Sequence, residues 1–149
     1  MDINNEIIDI HNLTFDNKFQ PNDSLIIGQF IKPNQDGKLV AVQIKLRSPL
    51  SIYEIIIQDN QNNILDSRQF EYKVEDAPIK IYLHKKPKLE KNKIYKILVK
   101  CLHEKVGGMI IYVTTKNNYE NGCMFFYDKQ NKILKSNNID LYFATFMES

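Results

Sequence analysis

Three histidines and two cysteines are the residues with most chemistry to offer: His11, His84, His103, Cys101 and Cys123. No two histidines stand at metal-ligand spacing, and neither Cys-x-x-Cys nor His-x-x-x-His occurs. His84 and His103 therefore read as hydrogen-bonded surface residues at strand ends. Cys101 and His103 have the residue types of a nucleophile and its base, but they lie two residues apart on one strand face. No third group is in view to orient the base. There is no Gly-x-Ser-x-Gly elbow and no glycine-rich phosphate loop after a strand. Asp59, Asp66, Glu75 and Asp76 fall in turns and read as solvated acids, although spacing in sequence leaves open a pair of carboxylates brought together in space. The expectation is a protein with no catalytic residues, no metal and no cofactor. The two cysteines read as reduced, buried thiols, with a disulfide as the alternative.

Tyrosine and lysine carry the other leads. The chain holds eight Tyr, eight Phe and no Trp. Most Phe positions follow strand alternation and read as core. Tyr112 and Tyr119 flank a polar segment containing Asn117, Asn118 and Asn121. An aromatic face with side-chain amides suits a sugar ring, which offers a C–H face and many hydroxyls. The same set also describes an ordinary sandwich rim. Lys85, Lys86, Lys88, Lys91 and Lys93 crowd one turn around Glu90. They read either as a solvated tip that discourages edge pairing or as a contact site for an anionic partner.

The elements that must position these residues are strands. In residues 78–84, Ile79, Ile81 and Leu83 alternate with Lys80, Tyr82 and His84. In residues 94–100, Tyr95, Ile97 and Val99 share one face. With Pro87 and a charged tip between them, the two read as an antiparallel pair. Further strands are expected at 6–15, at 24–32 with Gly28 marking a bulge or close approach, and at 38–47 with Val40, Val42, Ile44 and Leu46 on one face. Others are expected at 52–58 with Ile55, Ile56 and Ile57 buried on both faces, and at 69–74, 109–114, 123–128 and 140–147. Residues 16–23, 116–122 and 129–138 read as polar connections. Roughly ten short strands without a convincing helix predict a single all-β domain over residues 1–149, an antiparallel β-sandwich of jelly-roll type.

With 149 residues the chain is long enough for a substantial core, and 43% of it is hydrophobic. A net charge of +2, from 20 basic and 18 acidic residues, is too balanced to predict nucleic-acid binding. No run approaches a membrane span. Residues 1–10 lack a positive n-region and an apolar h-region, so the reading is a protein cytoplasmic as synthesised, with a virion or a surface as later destinations.

A run of motifs completes the reading: Pro87-x-Leu89, Asn92-Lys93-x-Tyr95-x-Ile97, Gly107-Gly108, Tyr119-x-Asn121-Gly122 and a closing Asp140-Leu141-Tyr142-Phe143-Ala144-Thr145-Phe146. Over about residues 24–147 this order resembles the jelly-roll domains appended to bacterial surface and secreted proteins, which resemble carbohydrate-binding modules. The resemblance implies a non-catalytic module with a glycan partner. The alternative is a structural or assembly protein, such as a phage or injection-system component, that docks on other subunits and is oligomeric.

Overall fold

The clean alternation at residues 38–47 becomes the longest strand of the protein, and the two sheets are arranged about it. The computed structural model describes residues 6–19, 26–47, 51–72, 77–102, 110–116, 118–127, 130 and 132–148. Among them are β1 (Ile7–Asn12), β2 (Asn17–Phe19), β3 (Ile26–Ile31), β4 (Gly37–Arg47), β5 (Ser51–Asp59), β6 (Ile64–Tyr72) and β7 (Pro78–Tyr82). There follow β8 (Lys88–Leu89), β9 (Tyr95–Cys101), β10 (Ile110–Thr114), β11 (Met124–Tyr127), β12 (Ile133–Ser136), β13 (Asp140–Leu141) and β14 (Phe143–Glu148). The first sheet has eight strands along β1-β14-β4-β10-β13, with β7 and β8 also on β4 and β2 on β10. The second runs β12-β11-β3-β9-β5-β6. Every pairing is antiparallel. From β3 onward the chain crosses between the sheets after every one or two strands, which gives a jelly-roll-like β-sandwich. No helix among the described residues is long and apolar enough to cross a membrane.

The core lies between the sheets. Val42, Ile44, Leu46 and Phe143 of the first meet Ile27, Tyr53, Ile55 and Ile97 of the second, all buried. Each such side chain contributes about 1.5–3 kcal/mol by leaving water. Ile55, Ile56 and Ile57 are buried in succession, as their density predicts. Ile56 faces outward into a smaller cluster with Leu98 and Phe125. Gly28 belongs to that cluster for a steric reason: a Cβ there would stand 2.1 Å from Phe125 Cζ. The close approach expected of this glycine is an aromatic ring lying on its backbone.

Several expectations are corrected. Residues 78–100 do not form a hairpin, because β7 pairs with β4 while β9 pairs with β3 and β5 in the other sheet. The connection is a crossover anchored by buried Leu83 and Leu89, and its β8 segment adds to the first sheet. Leu39, rather than Val40, joins Val42, Ile44 and Leu46 in the main core. The β4–β14 register shifts between Ala41 and Leu39, so one β4 residue is left over and the side-chain alternation reverses. β12 forms within the expected 129–138 connection, at a sheet edge where Leu134 and Lys135 are exposed and the apolar signal is weak. Asp66, expected in a solvated turn, is 2% exposed within β6. Cys101 and Cys123 are both buried, and no disulfide joins them.

Candidate functional site

The 115–122 loop uses its polar side chains on its own fold. Thr115 donates through its N–H and Oγ1 to the two carboxylate oxygens of Asp16, at 3.0 and 2.9 Å. Asn118 Nδ2 donates to Asn12 Oδ1 and Thr14 Oγ1, at 3.2 and 3.0 Å. Tyr119, 8% exposed, accepts the Lys32 N–H at 2.8 Å and donates its hydroxyl to the Lys32 carbonyl at 3.2 Å. Burial pushes its phenol up to about 12. Its own N–H donates to Asp140 Oδ2 at 2.9 Å, and Gln29 Nε2 donates to Asp140 Oδ1 at 3.0 Å. Burial raises the Asp140 pKa above the usual carboxylate value. Gly122 completes the clamp, since a Cβ there would lie 1.9 Å from the Phe30 carbonyl oxygen.

Four of the five residues expected to form a sugar face are described, two of them buried and two exposed. Tyr112, 2% exposed, and Tyr119 are buried, so neither ring is open to a ligand. Asn118 and Asn121 are exposed, although Asn118 Nδ2 is engaged by Asn12 and Thr14, and Asn117 lies outside the described residues. His103, expected at the surface of a strand end, also lies outside them, as do Glu75 and Asp76.

The basic turn is the reverse case. Its backbone is tied on several sides: Lys85 N–H to Asp66 Oδ2 at 2.7 Å, Lys91 N–H to Asp36 Oδ1 at 2.8 Å, Asn92 N–H to the Pro33 carbonyl at 3.0 Å, and Glu90 N–H to Tyr95 Oη at 2.9 Å. Lys86 and Asn92 hold positive φ values of 49° and 66°. The side chains of Lys85, Lys86, Lys88, Lys91 and Lys93 are all exposed, and Lys93 ion-pairs with Glu90. Below them an open groove of about 1160 Å³ is walled by Lys88, Lys91 and Lys93 and by Asp36, Asp59 and Glu90. Three cations face three acids, so the groove itself has no preferred sign of charge. Asp59 is occupied by Asn63 and Gln61, and its Asn63 hydrogen bonds hold its carboxyl below the usual range.

The outer face of the first sheet gathers aromatics and lysines. Register places Lys80 beside Gln43 and Gln43 beside Ala144, with Tyr82, Ala41 and Phe146 one row along. At one end of this face, Lys80 Nζ stands 3.9 Å from the Phe146 ring centroid and 5.0 Å from that of Tyr82, and it ion-pairs with Glu6. Burial works against the Lys80 charge, but Glu6 and Tyr82 more than offset it and its pKa rises. At the other end, Lys45 Nζ lies 4.4 Å from Phe15 and 4.7 Å from Tyr112. Phe15 and Tyr112 meet edge-to-face at 4.6 Å, and Gln43 Nε2 donates to the nearby Tyr142 Oη at 3.3 Å. Phe15 is 44% exposed, yet its position is fixed. Asp16 N–H donates to the Val113 carbonyl on one side, and Thr14 is tied to Asn12 and Asn118 on the other.

Phe15 is the residue that sequence reasoning missed. It falls in the strand expected at 6–15, among phenylalanines most of which read as core, whereas β1 ends at Asn12 and the ring lies outside, over Tyr112. The available signal was its place beside Asp16, a polar residue that ends the strand pattern.

No protein-family model matches the sequence, and no curated protein does. The fold is similar to a crystal structure of the cysteine protease and lectin-like domains of Cwp84, a surface-layer-associated protein of Clostridium difficile. The TM-score is 0.71 at 14% identity, covering 99% of this chain and 37% of that one. A second structure, the clostridial cysteine protease Cwp84 after propeptide cleavage, gives 0.73 at 14% identity, covering 99% of this chain and 41% of that one. The chain thus spans about two fifths of the length of these structures. CsCBM6-3 from Clostridium stercorarium, solved with cellobiose, aligns with a TM-score of 0.39 at 14% identity, over 70% of this chain and 88% of that one, too low to carry an argument. At such identities the likenesses show a fold and nothing finer.

Proposed function

We propose that this protein is a non-catalytic binding module whose ligand is a glycan, held at Phe15. The observation that carries this reading is an exposed aromatic ring on rigid backbone, seated on buried Tyr112, with the Lys45 ammonium and the Gln43 and Tyr142 polar groups beside it. The ring suits the C–H face of a sugar, and the polar groups suit its hydroxyls. The similarity in fold to a structure that includes a lectin-like domain supports the reading. Affinity is expected to be weak, because a shallow contact buries little area. Glycan-array screening followed by titration of Phe15→Ala tests it. Binding that falls about tenfold or more in this variant is expected, since an exposed stacking ring is worth about 1–2 kcal/mol. A folded wild-type sample that binds no sugar would overturn the reading.

Docking on another subunit is the second reading. Ile7 and Ile8 are exposed large hydrophobics on the β1 edge of the same sheet, and exposed Tyr82 lies on β7 at the far end of the row that runs from Ile8 through Phe146 and Ala41. A monodisperse oligomer in light scattering, reduced to monomer by Ile8→Glu, supports this reading; a strict monomer with no binding partner opposes it.

A further inference from the structure

Two lysines on one sheet face sit against paired aromatic rings, and only one of them has an acid of its own. Lys80, over Phe146 and Tyr82, is ion-paired with Glu6. Lys45, over Phe15 and Tyr112, has no ion pair among the described residues. Lys18 Nζ adds a second positive charge 5.5 Å from the Tyr112 ring. Asp16 is the nearby acid in sequence, and both of its carboxylate oxygens accept hydrogen bonds from Thr115. An ammonium packed between rings gives up part of its hydration, and the rings compensate only in part. A carboxylate arriving from outside would complete at Lys45 what Glu6 completes at Lys80.

We propose, resting on the glycan reading, that the Phe15 site selects saccharides carrying a carboxylate, that is, uronic-acid sugars. The ring of the uronate packs on Phe15, and its carboxylate accepts a charge-assisted hydrogen bond from Lys45. Lys18 supplies longer-range attraction that is screened by salt.

The test uses the full chain and two probes that differ only in charge, oligogalacturonate and the same oligomer fully methyl-esterified. The acid form is expected to bind at least about tenfold more tightly, because a hydrogen bond to a charged group is worth about 1.5–3 kcal/mol. That advantage should shrink with added salt, disappear in Lys45→Gln and survive in Lys45→Arg, while Phe15→Ala weakens both forms. Equal binding of acid and ester overturns the proposal and leaves the glycan reading standing. So does binding of a neutral glycan alone. An acid preference that persists in Lys45→Gln but is lost in Lys86→Glu with Lys88→Glu also overturns it, and assigns the charge effect to the basic turn. Failure to bind any glycan defeats this proposal and the reading beneath it together.

Discussion

In the 115–122 loop side chains hold the backbone, whereas in the 83–94 turn the backbone is held and the charged side chains are left to solvent. Tyr119, Asn118 and Thr115 each spend polar atoms on other parts of the protein, Tyr119 from a buried position and the other two at the surface. The turn is fixed by groups from elsewhere, Asp66, Asp36 and Tyr95, and its own five lysines are exposed. Both segments are largely polar in the sequence, and both drew functional readings. A polar side chain that already satisfies buried neighbours has little left to offer a ligand, because releasing it would leave those neighbours unpaired at about 1–3 kcal/mol each. Fixed backbone with free side chains is the better arrangement for recognition, since less order has to be imposed on binding.

The comparison breaks first at Gly122. Gly122→Ala drives a Cβ against the Phe30 carbonyl and is expected to cost about 3 kcal/mol, read as a lower midpoint in urea denaturation. Unchanged stability would mean that the loop is not clamped. Asp66→Ala removes the acceptor of both the Ser67 and the Lys85 N–H groups. A loss of about 2 kcal/mol is expected, with faster hydrogen exchange at the Lys85 amide. An unaltered exchange rate there would show that the turn is held by something other than its borrowed anchors.

Tyr119→Phe is expected to lose about 1–1.5 kcal/mol at neutral pH. Its pH dependence sharpens the point. The Tyr119 phenol titrates at about 12 in the folded protein against an ordinary 10.0, so its contribution is fully present below pH 10 and is lost as pH rises through about 12. The stability gap between wild type and Tyr119→Phe should therefore narrow across that alkaline range, measured by denaturation at a series of pH values. A gap that widens there would contradict a buried, protonated phenol. The smallest effect belongs to the turn: Lys86→Glu with Lys88→Glu should change stability by no more than about 0.5 kcal/mol. A larger loss in thermal melts would show that these lysines serve the fold after all.

The strands were legible wherever apolar residues alternate with polar ones or run together between polar turns. β4, β5, β9 and β14 are of this kind, and the sandwich class follows from them. Three things were not legible. The partner of a strand is set by what lies across the core, so residues 78–100 read as a hairpin although β7 and β9 enter different sheets. A bulge leaves no mark in composition, so Val40 and Leu39 exchanged places. Exposure of an aromatic depends on where its strand stops, so Phe15 read as core and Tyr112 as surface, the opposite of what the structure shows. The loop that drew attention does lie near Phe15, through Thr14 and Asn118, and its Asn118 amide braces that ring's backbone.

Strand β4 carries a consequence for the order in which the chain is made. Its partners β7, β8, β10 and β14 all follow it, and β14 ends at Glu148. The β5–β6 pair closes on its own short turn as soon as both strands leave the ribosome. Strand β4 has no such neighbour. Its Val42 and Ile44 gain β7 on one side but wait through about a hundred residues of synthesis before β14 arrives on the other. Chains dominated by such distant pairings fold slowly, and the waiting strand is a surface on which nascent chains adhere to one another. Loss of the last strand alone would therefore strand the central one, and yield in cells should depend on holding the chain apart until its final residues emerge.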